Sequence, residues 1–454
     1  MREYGSYVDT SIPWTPVMPA HWQEYRGKRL FVSPKEKNVG NKEANVLSLT
    51  LKGVIRNNKE QPIGLSPNDY STYQIFEKDD LVFKLIDLEN ISTSRVGIVP
   101  ERGIMSSAYI RLAARSKLSV RYFYLQYYSM WLKNIFNGLG AGVRQTLSSS
   151  DLLNIGVVVP PIEEQEQIVS FLDWKVSSIN SLINGRKAQI KLLEEIKLKI
   201  IDEIVLHGIG QQTYKHSGVD WFSRVPEDWE TRRIKFLFDL RDERNHLPLS
   251  EVNLISLYTK LGVVQNTDVE YTTGNRATTA EGYKKVYEDD IIVNIILCWM
   301  GAIGRCAYNG VTSPAYDIYK PRKGVYSRYY HYLFRTKRFS GQCYRAGKGI
   351  MAMRWRTYSP QFRDIVVPVP PFNKQVQIAG YLDDFCHKMD EEISTLHDDI
   401  RRLEELKTTL ISDVVTGKID VRDVEIPEYE FVDEDADADS DSDDDSDDTE
   451  EQEE

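Results

Sequence analysis

Four features of this chain have residue types and spacings that could serve chemistry. Gly341 and Gly347 followed by Lys348 suggest a phosphate-cradling loop, in which backbone N–H groups and a lysine hold anionic oxygens. Such a loop needs four residues between its glycines and a Ser or Thr after the lysine; here there are five, and Gly349 follows. Gly138, Gly140 and Gly142 alternate like a dinucleotide or methyl-donor loop, but they follow an aromatic helical stretch instead of a strand and lack the spaced acidic partner. Val369-Pro370-Pro371-Phe372 has the form of the strip with which amino-methyltransferases polarise a target amino group. A valine stands where the polarising Asn, Asp or Ser belongs, and Val159 takes the same place before Pro160-Pro161. The seven histidines form no zinc-protease pattern and no nucleophile pair. Cys298, Cys306, Cys343 and Cys386 lack zinc-ligand spacing and read as buried small apolar groups. The residues therefore imply no catalytic site and no metal site, and a chain that binds without making or breaking bonds.

What it binds is first suggested by charge. The formal net charge of −11 is misleading, because residues 427–454 hold 17 Asp or Glu and no Lys or Arg, leaving 57 basic against 51 acidic residues before them. Residues 1–158 carry 20 basic against 14 acidic, 159–213 carry 6 against 8, 214–367 carry 24 against 16, and 368–426 carry 7 against 13. Two basic blocks alternating with two acidic ones suit a molecule that touches a polyanion with two of its regions. The 454 residues exceed what one core organises, roughly 250–300, so several domains are expected. No apolar run approaches the ~18–20 residues of a membrane span, no cationic leader precedes an apolar stretch, and four cysteines make no disulfide framework; a cytoplasmic chain away from membranes is expected.

The elements that must position the binding residues occur twice. Trp14, Pro19, Trp22, Lys28, Leu30 and Phe31 recur 207 positions later as Trp221, Pro226, Trp229, Lys235, Leu237 and Phe238. Asp79-Asp80 returns as Asp289-Asp290, and Arg121-Tyr122 as Arg328-Tyr329. Pro160-Pro161, Gln165, Gln167, Ile168, Leu172 and Asp173 return 210 positions later as Pro370-Pro371, Gln375, Gln377, Ile378, Leu382 and Asp383. After each Pro-Pro, apolar residues step by three and four: Ile168, Leu172, Ile179, Ile183, Ile190, Leu193, Ile196, Ile200 and Ile204, and in the copy Ile378, Leu382, Met389, Ile393, Ile400, Leu403, Leu406, Leu410 and Val414. This predicts two helices of roughly 40 residues, about 60 Å each, ended by Gly208 and Gly417 and paired as an antiparallel coiled coil. The register differs in kind at Arg186 against Leu396. The basic blocks read as mixed α/β, with β-type runs at Ala44–Leu51 and Val252–Tyr258 and aromatic-rich helices at Arg121–Phe136 and Arg328–Phe339. The Asp/Glu/Ser run at the end cannot bury apolar surface and is expected to be a disordered acidic tail, either a solubilising segment or one that competes with DNA for the basic faces.

Together these features resemble the specificity subunit of type I restriction-modification systems, over residues 1 to about 426. Ser217-Gly218-Val219-Asp220-Trp221 through Val225-Pro226-Glu227-Asp228-Trp229 looks like the opening of that family's recognition domain, Trp14 to Trp22 is its copy, and Pro160-Pro161 with Glu164-Gln165 and Ile168 looks like the start of its spacer helix. Ile12-Pro13 departs from the usual glycine-led opening, Lys374 replaces the glutamate before Gln375, and the acidic tail lies outside the family pattern. The resemblance implies an α+β pseudo-twofold tandem repeat, in which two α/β target-recognition domains are joined by two long antiparallel coiled-coil helices. Its boundaries are target-recognition domain 1 over 1–158, spacer helix 1 over 159–213, target-recognition domain 2 over 214–367, spacer helix 2 over 368–426 and the tail over 427–454. Each recognition domain would read one half of an asymmetric bipartite site in double-stranded DNA. The partners implied are two adenine methyltransferase (modification) subunits and two restriction (motor-nuclease) subunits. S-adenosylmethionine, ATP and Mg belong to those partners, and no cofactor to this chain.

DNA contact is expected from basic and amide residues in loops without apolar periodicity: Lys52, Arg56, Asn57, Asn58, Lys59, Arg144 and Gln145 in the first copy, and Lys260, Asn275, Arg276, Arg345, Lys348, Arg354 and Arg356 in the second. Each also reads as an ordinary solvated charge. Ile168, Leu172, Ile179, Ile183, Ile190, Leu193, Ile378, Leu382, Met389, Ile393, Ile400 and Leu403 are expected to join the helices to each other and to dock the methyltransferases. Trp14, Trp22, Trp221 and Trp229 read as packing anchors, because they repeat identically where specificity should differ. The competing reading is a coiled-coil scaffold without DNA function, which leaves the alternating charge blocks unexplained.

Overall fold

The computed structural model describes residues 2–58, 69–86, 88, 95–139, 146–265, 279–349 and 355–433. The described residues divide into two compact units, one of residues up to Lys187 together with those from His397, and one of Ala188–Leu396. Both long helices cross from one unit to the other, so each unit holds one globular half and part of each helix.

In the first unit, Tyr7–Ile12 and Thr15–Pro19 form a hairpin, and Gln23–Arg26 pairs antiparallel with Gly156–Val159. A four-stranded antiparallel sheet runs in the order Phe31–Val32, Ile110–Ala114, Leu81–Phe83, Val96–Ile98. Helix α1 (Gly27–Leu30) leads into it. Helix α2 (Val120–Leu132) carries Tyr122, Phe123, Leu125 and Tyr127 inward, α3 (Ile135–Leu139) follows, and α4 (Ser149–Asn154) starts at a capping box between Ser148 and Asp151. Helix α5 (Ile162–His207) begins directly after Pro160-Pro161.

The second unit repeats this plan. Tyr214–Val219 pairs with Phe222–Pro226, Glu230–Arg233 with Val366–Val369, and the four-stranded sheet runs Phe238–Arg241, Tyr316–Pro321, Ile291–Asn294, Ile303–Arg305. Helices α6 (Ser327–Phe334), α7 (Lys337–Ala346) and α8 (Ser359–Asp364) lead to α9 (Phe372–Val415). Its core gathers Val205 and Leu206 of α5, Ile378, Ala379 and Leu382 of α9, and Trp229, Phe238, Tyr329 and Phe334. The helix ends are thus built into the globular half as well as into each other.

Each expected aromatic helix is two helices. Asn134 takes a left-handed φ of 54° between α2 and α3, and the Thr336 side chain caps α7 just after α6 ends. The long helices run antiparallel within each unit: Lys407 Nζ donates to Asn180 Oδ1 at 3.3 Å and Arg186 faces Asp399 at 3.6 Å in the first, while Lys197 Nζ meets Asp390 Oδ1 at 2.5 Å in the second. Arg186 thus forms an ion pair, whereas Leu396 is buried. The apolar stripe is narrower than its periodicity predicts, since Ile196 is 39% and Leu406 51% exposed. An α-helix drifts against a seven-residue repeat, and these two positions rotate outward. No helix among the described residues is long and apolar enough to cross a membrane.

The expected tail starts too early. Residues 427–433 lie along α5, where Ser177 Oγ donates to Glu430 O at 3.0 Å and accepts from Val432 N at 2.8 Å, Asn180 Nδ2 donates to Val432 O at 3.1 Å, and Asn184 Nδ2 donates to Asp433 O at 2.9 Å. These bonds engage the backbone, so the acidic composition does not prevent them. The remaining acidic residues, 434–454, lie outside the described residues.

Candidate nucleic-acid interface

Most of the repeated residues hold the globular halves to the helices. The Gln165 side chain donates to Pro160 O at 2.9 Å and accepts from Ser119 N at 3.1 Å, joining the start of α5 to that of α2. Gln375 does the same with Pro370 O, 2.8 Å, and Tyr326 N, 2.8 Å. Arg121 pairs with Asp173 at 2.8 Å, and Arg328 with Asp383 at 2.7 Å. The buried Tyr122 hydroxyl donates to Val415 O at 3.0 Å, and Tyr329 to Val205 O at 2.7 Å; in each unit the tyrosine satisfies a carbonyl near the C-terminal end of a long helix. Trp22 and Trp229 are buried, and Trp221 Nε1 donates to Val366 O at 3.0 Å, as befits packing anchors.

Lys374 bonds through its backbone, with N donating to Pro371 O at 2.8 Å. Its counterpart Glu164 is buried and gathers Tyr4 Oη at 2.6 Å, Trp22 Nε1 at 3.0 Å and His21 Nε2 at 2.8 Å, tying down N-terminal residues. Burial and this carboxylate keep the Tyr4 hydroxyl protonated.

The two aspartate pairs at the sheet edge also repeat. Asp79 and Asp289 take left-handed φ values of 66° and 71°, while the buried Asp80 and Asp290 accept the backbone N–H groups of Glu77, at 2.7 Å, and Tyr287, at 3.0 Å. Their cations come from different strands: Arg111 Nε sits 2.5 Å from Asp80, and Arg241 Nε 2.9 Å from Asp290.

With these residues devoted to structure, the candidates for DNA contact lie at hairpin tips and loop bases. In the first unit, Leu47–Thr50 and Gly53–Arg56 form a hairpin whose turn exposes Leu51 and Lys52. Arg56, at its end, forms a two-pronged pair with the Glu101 carboxylate through Nε and Nη2, which raises the guanidinium's proton affinity, while its side chain stays 73% exposed. Asn57 is half-buried, with Nδ2 donating to Ser48 Oγ at 2.7 Å, and Asn58 is exposed. Lys59, Arg144 and Gln145 lie outside the described residues.

The second unit has the matching hairpin, Ile255–Tyr258 with Gly262–Gln265, and exposes Lys260 and Leu261 at its turn. Arg335 clasps this turn from below, with Nη2 donating to Thr259 O at 3.0 Å and Lys260 O at 2.8 Å. Gly262 adopts a left-handed φ of 77°, and a Cβ there would meet Arg335 Nη1 at 3.1 Å.

Arg345, Lys348 and Arg356 come together. Arg345 is in the last turn of α7, and Lys348 and Arg356 exchange backbone hydrogen bonds of 2.9 and 3.0 Å. Among the described residues no ion pair engages any of the three. Beside them Trp355 stacks on Tyr344, with centroids 4.7 Å apart and an 18° interplanar angle, and Trp299 tilts against Tyr344 at 5.7 Å. Trp355 Nε1 donates to Tyr344 O at 3.0 Å, and Gly347 leaves the ring its room, since a Cβ there would lie 2.4 Å from Trp355 Nε1. Cations beside half-exposed aromatic faces suit phosphate and base contact. Basic and amide residue type alone does not single out these aromatics, although Trp355 directly precedes Arg356. Asn275, Arg276 and Arg354 lie outside the described residues.

Of the helix positions expected to serve both packing and docking, Ile168, Leu172, Ile179, Ile183, Ile190, Ile378, Leu382 and Ile400 are buried, and Leu193, Met389, Ile393 and Leu403 are half-buried. The buried ones serve packing. Exposed apolar side chains on the helices are instead Leu182, Leu192, Ile196 and Leu198 of α5 and Phe372, Val376, Tyr381 and Leu406 of α9. Cys298, Cys306 and Cys343 are buried, and no His, Cys, Asp or Glu cluster fit for a metal occurs among the described residues.

The sequence pattern that defines the type I restriction modification DNA specificity domain matches residues 24–192 and again 226–398. The chain belongs to this specificity family. Its tandem match reproduces the doubling seen in the fold. Among curated relatives, the type I restriction enzyme MjaVIII specificity subunit of Methanocaldococcus jannaschii is 29% identical over 145 residues, which cover 31% of this chain and 32% of that protein. The MjaIX specificity subunit of the same organism is 25% identical over 236 residues, 50% of this chain and 45% of the relative. The chain therefore matches less than half the length of these relatives. A solved chain described under the structural basis of complex assembly and conformational transition of the type I R-M system shares the fold at a TM-score of 0.65 and 14% identity, covering 88% of this chain and 99% of that one.

Proposed function

We propose that this specificity-family chain is the DNA reader of a type I restriction-modification complex. Each globular half reads one half of an asymmetric bipartite site in double-stranded DNA, and the two long helices set the unread spacer between the half-sites. The helices also dock two adenine methyltransferase subunits, and two restriction motor-nuclease subunits complete the complex. The chain itself is non-catalytic and takes no cofactor; S-adenosylmethionine, ATP and Mg act in the partner subunits, where the target adenine is flipped and methylated.

One observation carries this reading: a single set of repeated anchors, Gln165 and Gln375, Arg121 and Arg328, Tyr122 and Tyr329, presents two loop sets whose residues differ. Equal mounting with unequal tips is what an asymmetric two-part site demands. The test is base-resolution mapping of methylated adenine in cells expressing the chain with its cognate methyltransferase, compared with the methyltransferase alone. A split motif present only with the chain is expected. An unchanged methylation pattern, with the complex formed, would overturn the reader function.

A further inference from the structure

The two long helices start alike but do not present the same outer face. On α5, Gln167 Nε2 donates to Val421 O at 3.0 Å and Val424 O at 2.8 Å, and Ser177, Asn180 and Asn184 hold the backbone of 430–433. Phe171, beside Val421 and Val424, is only 2% exposed. Residues 421–433 therefore form a strap along the helix, beginning with a turn at 421–424 that Val424 N closes by donating to Val421 O at 3.2 Å. At the corresponding positions of α9 stand Gln377, Tyr381, His387, Asp390 and Ser394. Among the described residues no strap covers them: Gln377 is exposed, Tyr381 is 44% exposed and stacks in parallel with Phe385, and the His387 side chain is 74% exposed. One register thus has a buried aromatic beside the chain's own 421–424 turn on α5 and an open aromatic on α9.

Resting on the proposed docking of methyltransferase subunits to the helices, we infer that the strap makes the two docking faces unequal. The open face of α9 takes a turn of the first methyltransferase, seated over Tyr381 with its backbone carbonyls on Gln377, as the turn of Val421 and Val424 sits by Phe171 and Gln167. The α5 face is already occupied by the chain's own residues 421–433, so a second methyltransferase docks there only by displacing them. The grip explains how this is reversible: beyond Val424 it consists of side-chain-to-backbone hydrogen bonds, while Tyr429 and Phe431 remain 39% and 52% exposed.

The experiment is calorimetric titration of the full chain with its cognate methyltransferase, with stoichiometry checked by analytical ultracentrifugation. Two binding steps at least tenfold apart in Kd are expected. Removing residues 421–454, which frees Phe171 and Gln167 as well as Ser177, Asn180 and Asn184, should bring the second step to within threefold of the first, and Ser177→Ala with Asn184→Ala in the full chain should shift it the same way without altering the acidic charge. Tyr381→Asp should weaken the tight step at least tenfold and leave the weak one. Two equal steps in the full chain, or a second step unmoved by both strap variants, would overturn the inference. Absence of any complex in all variants would overturn the docking reading beneath it.

Discussion

Arg345 and Lys348 offer the most direct quantitative test of DNA contact, because both are exposed and no ion pair among the described residues competes for them. Each cation that neutralises one phosphate contributes about 0.9 to the slope of log affinity against log salt. Arg345→Gln with Lys348→Gln should therefore flatten that slope by about 1.8. Between 50 and 200 mM salt, each contact accounts for roughly a 3.5-fold loss of affinity, so the pair accounts for about 12-fold, which the double variant should no longer show. Neither side chain is in the core, and glutamine retains hydrogen-bonding capacity, so folding should be preserved. The assay is fluorescence anisotropy of labelled duplex DNA at five or more salt concentrations, with Lys199→Gln on exposed α5 surface as the control. A slope within 0.3 of the parent chain would refute the placement of these residues on the DNA face, whatever happened to affinity at a single salt concentration.

Other expectations follow from the same geometry. Gly347→Ala places a methyl where Trp355 Nε1 lies, so the Trp355–Tyr344 stack should open; an altered near-ultraviolet circular dichroism signal together with weaker DNA binding is expected, and an unchanged spectrum would contradict it. His331 accepts the Arg305 backbone N–H, and burial, with Arg335, Arg305 and Arg328 nearby, lowers its pKa to about 3 from 6.5. The unfolded chain takes up this proton below pH 6.5 while the folded one does not, so stability falls as pH drops, by about 2 kcal/mol at pH 5. Urea unfolding of His331→Gln should lose this part of the pH dependence, and a parallel pH profile would count against it. Tyr329→Phe leaves the Val205 carbonyl without its 2.7 Å donor and should cost about 1–2 kcal/mol; a loss under 0.5 kcal/mol in urea unfolding would show that this bond contributes little to holding the second globular half.

How much of this was legible in the sequence depends on which atoms make each contact. The anchors were visible because side-chain identity does the holding: Gln165 and Gln375, or Tyr122 and Tyr329, each need one hydrogen-bonding group at one place, so they appear twice at a fixed offset. The long helices were visible through their apolar spacing, but Ile196 and Leu406 were assigned to a face from which the helix rotates them. Nothing local to Arg56 shows that Glu101, far along the chain, meets it. The strap was hidden for the opposite reason to the anchors. Its own side chains do little of the binding, and composition grouped 427–433 with the acidic run beyond. The signal lay on α5 instead, in Ser177, Asn180 and Asn184, spaced by three and four like an apolar stripe but made of short polar groups. On α9 the same positions are His387, Asp390 and Ser394, polar at the same spacing, so the stripe alone does not tell the helix that carries a strap from the one that does not; only the backbone contacts of 430–433 do.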